Sequence, residues 1–393
     1  SDRINNELLF INLATVQADG ILFTHLQQAV KRKLPFATTI MKVIFTIFCI
    51  SLCSTSFAQE DLNNYLRMHN YPFSIDKGFD KTTSDTLKLK FSNYKVIIQA
   101  ELSHTLIIYK KIRLMWIEFL NKNLGLTHFF MEYGADATFL GDKYLETGDT
   151  SNLAKGWINF WRPYYQLNSD LPIGKKITPI GIDFNRPLTY LSALKLLLPN
   201  VPPPENIKSN IELIKNAFDN TYNCDYILTI NTKLKDGLSK YKSDYIQYFG
   251  KSYKYFERIV NNKGTCNDVR KNRNYNMVEN FLTLDNEIND SLYYGELGMA
   301  HTILKNKVFA SLLNNSPKFE NKVCVINLYC YNCSSKTGEI SNKIFGNIES
   351  DIQKYFLPLC TSDFTLFDLS ENLALTKKYR EYGQFLIIAK DQN

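Results

Sequence analysis

Histidine is scarce in this chain: five in 393 residues. His25 lies near the start, so imidazole chemistry further along rests on His69, His104, His128 and His301. Glycine-rich phosphate loops are missing as well. No G-x-G-x-x-G and no G-x-x-x-x-G-K-[ST] occurs, which removes the dinucleotide and P-loop cradles. No G-x-S-x-G is present, so a serine on a nucleophile elbow is excluded. No 20–50-residue internal repeat is evident, which argues against a solenoid. The basic residues are scattered rather than grouped in a long block. With a net charge of +7, that distribution gives little footing for nucleic acid. Cysteine is limited to eight residues. Cys330-Tyr-Asn-Cys333 could be a redox pair or half of a zinc site, but no second pair or nearby histidine completes a tetrahedral set. A structural disulfide or buried thiols is the simpler reading.

What is present begins with bulk. The apolar fraction is 45%, with 24 Tyr and 26 Phe, enough to build a large core. Met41-Lys42 followed by Val43–Cys53 and Ser54-Thr-Ser-Phe-Ala58 has the layout of a secretory leader: a basic residue, a short apolar run, and small residues at a cleavage point. The run falls short of the ~20 residues that span a bilayer comfortably. A retained N-terminal anchor is the alternative, and Leu52 makes Cys53 a poor lipoprotein site. The expectation is that residues 1–40 are upstream, non-native translation, that 41–58 is a signal peptide, and that 59–393 is the working domain. Cys224, Cys266, Cys324, Cys330, Cys333 and Cys360 would then sit in an oxidising compartment, periplasmic or secreted.

Along the working domain, strand-like and helix-like patterns alternate. Strands are expected at 94–98, 127–131, 177–182, 292–295, 323–329, 364–367 and 385–388, with helices at 105–124, 135–144, 157–166 and 188–198. The stretch 59–89 is polar and broken and is expected to wrap onto the domain. After Pro199-Asn-Val-Pro-Pro-Pro204, residues 205–290 show helical spacing and no strand run, which suggests a helical insertion subdomain. The fold class expected is α/β, with a mostly parallel central sheet flanked by helices.

In such sheets the carboxyl ends of the strands form the ligand crevice. Val96-Ile-Ile-Gln-Ala-Glu101-Leu-Ser-His104 places a carboxylate and an imidazole three residues apart just past a strand. At that spacing the carboxylate can orient the ring and raise its basicity; the plain alternative is a helix cap by Ser103 with Glu101 solvated. Ser103 beside His104 invites a serine-nucleophile reading, but neighbours on a strand-to-helix turn point different ways. Glu132 follows Phe129-Phe-Met131, and a carboxylate there needs a partner. Asp183 closes Ile180-Gly-Ile182 with the same logic, and His301 follows a later strand across a short loop. His128 lies within a strand pattern and is expected in the core or against a helix; His69 is expected on the surface.

Taken together, these pieces resemble the erythromycin esterase-like family of hydrolases. Ala100-Glu101-Leu-Ser-His104 stands for that family's Gly-Glu-x-x-His motif, Arg113 for the arginine of the next helix, and Phe130-Met-Glu132 for its strand-end glutamate. Tyr144–Asp149, Gly181-Ile-Asp183 and Gly298-Met-Ala-His301 continue the match in order. The resemblance implies hydrolysis by histidine-activated water. His104 would be the general base, Glu132 and Glu101 would position the water, and Arg113, Asp183 and His301 would bind substrate or stabilise the oxyanion. Helix periodicity by itself does not bring Arg113 to His104, since nine residues is two and a half turns. Three departures stand out: Ala100 replaces the motif's glycine, Thr105 follows the histidine, and Gly298 replaces a histidine of macrolide-inactivating members. The last weakens the case for macrolide ring opening.

The expected activity is therefore cleavage of a carboxylic ester or lactone by a monomeric secreted enzyme. Its partner is a small-molecule ester, with no cofactor, no nucleic acid and no stable membrane association after leader cleavage. Two alternatives remain: a divalent-metal hydrolase or peptidase built on the same Glu/His cluster, and a non-catalytic ligand-binding relative. Trp157, Trp161 and Tyr164 are expected to wall the pocket.

Overall fold

The structure is a computed structural model that describes residues 61–102, 107–217, 223–266, 272–335 and 338–391. The chain divides into Ser1–Tyr65 and Leu66–Asn393; of the first unit only 61–65 are described, and they are helical. The upstream segment and leader expected at 1–40 and 41–58 lie outside the described residues. Among the described residues no helix is long and apolar enough to cross a membrane.

The second unit opens with β1 (Asn70–Phe73) and α1 (Lys81–Phe91). Parallel building blocks follow: β2 (Val96–Glu101), α2 (Ile107–Leu124), β3 (His128–Met131), α3 (Ala135–Thr147), α4 (Lys155–Asp170) and β4 (Thr178–Gly181). Then come only helices among the described residues: α5 (Pro187–Leu197), α6 (Glu205–Asn216), α7 (Cys224–Lys240), α8 (Lys242–Phe249), α9 (Tyr253–Asn261) and α10 (Arg273–Ile288), broken by a short 3-10 turn. The sheet resumes with β5 (Tyr293–Gly298), α11 (Phe309–Asn314) and β6 (Val323–Tyr331). A small hairpin, β7 (Ser334–Ser335) and β8 (Gly338–Glu339), precedes β9 (Phe364–Asp368), α12 (Leu373–Arg380) and β10 (Phe385–Lys390).

Eight strands form one sheet in the order β1-β9-β10-β6-β2-β5-β3-β4. From β10 to β4 every neighbour is parallel, while β9 runs antiparallel to both β10 and β1. Central strands are apolar on both faces because helices cover both. Alternate residues divide the core accordingly. Ile97, Phe129 and Tyr294 pack with Trp116, Leu120 and Trp161 on one side. Val96, Ile98, Phe130 and Tyr293 pack with Met277, Phe281 and Phe309 on the other. The helical stretch carries its own core. Ile207, Ile211 and Ile214, at one-turn spacing along α6, meet Ile227, Ile230, Leu234 and Phe256, and Phe139 and Leu140 of α3 join them. A disulfide joins Cys224 to Cys266, while Cys324, Cys330, Cys333 and Cys360 are buried thiols.

All seven strands expected from the pattern are present. β1 and α1 were not foreseen within the polar stretch 59–89. β1 is a four-residue edge strand, half exposed and held only by β9, so it has no run of apolar residues to announce it. Both sheet edges contain a proline, Pro72 and Pro179. Thr178 and Ile182 donate their amides to Thr127 and Met131 of the β3 side, so Pro179 falls at an outward position where its missing N–H leaves the open edge less able to pair.

Two close approaches position the strand ends. A side chain at Gly295 would run into the Phe130 ring, and one at Gly181 into the Gly134 carbonyl. Their absence lets β5 seat against the Phe130 ring of β3, and draws the end of β4 under the β3–α3 turn, where Asp183 N–H donates to Tyr133 O at 2.9 Å.

Candidate functional site

The carboxyl ends of β2, β5, β3 and β4 stand side by side. Glu101 is in register with Gly298, Glu296 with Met131, and Met131 with Gly181. The carboxylates singled out in the sequence therefore come to one edge of the sheet as a consequence of topology. Glu101 and Glu132 open onto a cavity of about 510 Å³ that is also lined by Glu296, Arg113, Tyr133 and Trp157, among others.

Glu132 is the best-held group there. One oxygen accepts from the Gly298 N–H at 2.8 Å, and the other from Arg273 Nη2 at 2.5 Å. His301 Nε2 stands 3.6 Å from that second oxygen. The Asn274 Oδ1 accepts from the Phe309 N–H at 3.1 Å and lies 2.6 Å from His301 Nδ1. An oxygen already acting as acceptor implies that Nδ1 carries the hydrogen, so Nε2 faces Glu132. The carboxylate expected to need a partner has at least three among the described residues.

Asp183 is 1% exposed, and its two oxygens accept from Arg273 Nε at 3.0 Å and Nη2 at 2.6 Å. Expected at the substrate, it holds Arg273 in the geometry of a planar fork on a carboxylate. Burial lowers the affinity of Arg273 for its proton, but the bonds from Asp183 and Glu132 outweigh that and hold it above its ordinary value.

Arg113 is buried at 4%. Along β5, Tyr294 faces the α2–α4 side, so Glu296, two residues on, faces it too. There it meets Arg113 in a two-pronged ion pair, while Arg113 Nη1 donates to the Tyr164 hydroxyl at 2.7 Å. Burial pulls the guanidinium pKa down, Glu296 pulls it up further, and the net result lies above the usual value. Burial likewise raises the Tyr164 phenol. Arg113 thus reaches the cavity wall with three of its five N–H bonds engaged inside the protein.

His104 and Ser103 lie outside the described residues. Glu101 ends β2 and lines the cavity. Of the pocket walls expected, Trp157 does line it, but Trp161 is fully buried against Gly141 and Tyr164 is buried beneath Arg113. Phe160 takes the wall position, one helical turn from Trp157. His128 is not packed in the core: it is partly exposed and bonds Asp290 at 2.5 Å. His69, expected on the surface, meets Glu371 there, its Nε2 at 3.0 Å from the carboxylate.

Arg273, Glu296 and Asn274 were missed. Glu296 carried a signal, a lone carboxylate inside the apolar run Leu292–Leu297. Arg273 carried none. It sits in Lys271-Asn-Arg-Asn-Tyr275, indistinguishable from a solvated helix start.

No family model matches the chain, and no curated protein matches it by sequence. Solved structures do. A protein from Bacillus cereus aligns with TM-score 0.55 at 16% identity, covering 84% of this chain and 97% of its own. A succinoglycan biosynthesis protein aligns with TM-score 0.54 at 13% identity, covering 84% and 97%. An erythromycin esterase variant in its open conformation aligns with TM-score 0.53 at 12% identity, covering 80% and 94%. At these identities the likeness is one of fold.

Proposed function

We propose that this protein is a hydrolase of the erythromycin esterase-like type, cleaving a carboxylic ester or lactone by attack of an activated water. One observation carries the reading: Glu132, fixed by the Gly298 amide and Arg273 with His301 beside it, at the mouth of a cavity on the strand ends. A carboxylate held by a backbone amide and a guanidinium stays ionised and immobile. It can therefore fix the orientation of a water whose proton passes to an imidazole. His104, three residues after Glu101 in the chain, is the imidazole assigned to that proton. Attack on the acyl carbon forms a tetrahedral oxyanion, and the permanently charged Arg113 on the cavity wall offers its remaining N–H bonds to it. Collapse breaks the ester C–O bond, and the imidazolium returns its proton to the leaving alkoxide. Glu101 orients the histidine or the water. The shared fold with an erythromycin esterase supports the same reaction class, and the helices of 205–290 are read as an insertion beside the crevice.

The metal-dependent alternative asks the same acids to hold a dication. Of Glu101, His104, Glu132 and His301, the groups that reading would use, Glu132 already meets Arg273, so a metal held by Glu132 would have to displace a guanidinium. Secretion as a monomer through the leader at 41–58 completes the proposal.

The test is hydrolysis of an ester panel by the wild type, Glu132→Gln and His104→Ala, with circular dichroism on each. Loss of about 100-fold or more in kcat/KM in both variants with folding unchanged is expected. Full activity in both would overturn the assignment, and activity lost on chelation and restored by zinc or manganese would replace it with the metal reading.

A further inference from the structure

We propose that the cavity selects an ester with a flat group and a negative charge, the flat group lying on an aromatic wall and the charge meeting Lys110 and Arg186 at the lip. This rests on the hydrolase reading above and adds the substrate class.

The lining is formally balanced: Glu101, Glu132 and Glu296 against Lys110, Arg113 and Arg186. The balance is uneven in space. Glu296 is forked by Arg113, and Glu132 is bound by Arg273 and the Gly298 amide. Lys110 and Arg186 are exposed, line the same cavity, and form no ion pair among the described residues. Lys110 is three residues before Arg113 on α2, one turn away on the same side of that helix. Arg186 is the N-cap of α5. Its guanidinium carbon lies 5.6 Å from the Tyr133 ring centroid and 5.7 Å from that of Phe184, so the charge rests on aromatic faces.

The wall between floor and lip is aromatic. Tyr133 meets Trp157 at 5.1 Å and Phe160 at 5.9 Å between ring centroids. These three are only partly buried, unlike Trp161 behind them at 0%. Partly exposed rings lining a cavity offer stacking area for a planar or ring-shaped group. An anion on that group would find Lys110 and Arg186 with no ion pair among the described residues. A cation would meet them directly, with Glu132 and Glu296 already engaged. The cavity thus favours an anionic ester over neutral and cationic ones through both steering and contact.

The experiment compares 4-nitrophenyl butyrate with mono-4-nitrophenyl succinate, which share a leaving group and differ by one carboxylate. It uses the full chain, a Lys110→Gln/Arg186→Gln double variant, and Glu132→Gln. Binding without turnover is followed separately by quenching of Trp157 emission with benzenesulfonate and with benzamide, using Trp157→Phe to assign the signal. The wild type should prefer the succinate by about tenfold in kcat/KM at low ionic strength, with the preference shrinking as salt rises. The double variant should lose that preference. Benzenesulfonate should quench and benzamide should not. If the wild type hydrolyses both esters equally while Glu132→Gln is inactive, the hydrolase reading stands and the anionic-substrate inference falls. If no ester turns over but benzenesulfonate still binds through Lys110 and Arg186, the anion site stands and the hydrolase reading falls. Equal quenching by both probes that is insensitive to the double variant would overturn the inference outright.

Discussion

At the scale of single residues the site is organised by arginines. Arg113 and Glu296 are both nearly excluded from water, and each supplies a countercharge to the other in a two-pronged pair. Replacing Arg113 by Met takes the guanidinium away from a buried carboxylate, and the expected cost is roughly 3–5 kcal/mol in unfolding free energy. Removing both charges in Arg113→Met/Glu296→Leu should restore most of that stability while hydrolysis stays lost. Urea unfolding of the three proteins checks this. A double variant no more stable than the single would show that shape, not charge, is what Arg113 supplies. Arg273 differs in kind: it ties Asp183 and Glu132 together, so its effect on chemistry passes through the orientation of Glu132. The sequence exposed Glu132 and Asp183 because an acid after an apolar strand is costly without a partner. It could not expose the partner, which lies 90 residues beyond Asp183 and looks like any other surface arginine.

At the scale of elements, α10 carries both Arg273 and Asn274 in its first turn, and so holds Glu132 and His301 together. Upstream, Cys266 is tied to Cys224, the first residue of α7, across a separation of 42 residues. A cross-link of that span stabilises by about 4 kcal/mol on chain-entropy grounds. Cys224→Ser/Cys266→Ser should lower the urea midpoint and, by loosening the approach to α10, raise KM or lower kcat. An unchanged midpoint would mean the bond is not formed in the purified protein. The strands of this fold were legible as short apolar runs, because burial on both faces demands them. β1 was illegible for the converse reason: an edge strand of four residues with one buried side chain needs no pattern. The aromatic wall was legible in part. The richness of α4 in aromatics was evident, but which ring faces the cavity and which the core depends on where α4 lies on the sheet.

At the scale of the whole molecule, burial of acids should give stability an unusual pH dependence. Asp136, fully buried at the start of α3, accepts from Thr189 Oγ1 at 2.6 Å and the Arg186 N–H at 3.0 Å. Burial nevertheless lifts its pKa from 3.8 to about 6, and the same cause lifts Asp142 to about 6. Between those values the folded state keeps a proton that the unfolded state releases. The stability these groups contribute is therefore fully present below pH ~4 and lost as pH rises through ~6. Asp285 works the other way. Burial raises its pKa, but Lys318 and Lys95 outweigh this and lower it, so its contribution is lost at the acid end. Asp136→Asn should gain on the wild type between pH 4 and 7.5 by up to about 3 kcal/mol, measured by urea unfolding across that range. A difference independent of pH would show that Asp136 keeps its ordinary pKa.

The sequence by itself determined the class of fold and the row of groups at the strand ends. Strand–helix alternation and the need to bury apolar runs are local properties, and parallel topology then brings Glu101, Glu132, Asp183 and His301 to one edge. Only the tertiary structure decided which of them face the cavity and which are absorbed into ion pairs. Pairing across 141 residues between Arg273 and Glu132, or 183 between Arg113 and Glu296, leaves no periodicity in the chain. It is settled by where helices come to rest on the sheet, and that is a matter of packing rather than of local pattern.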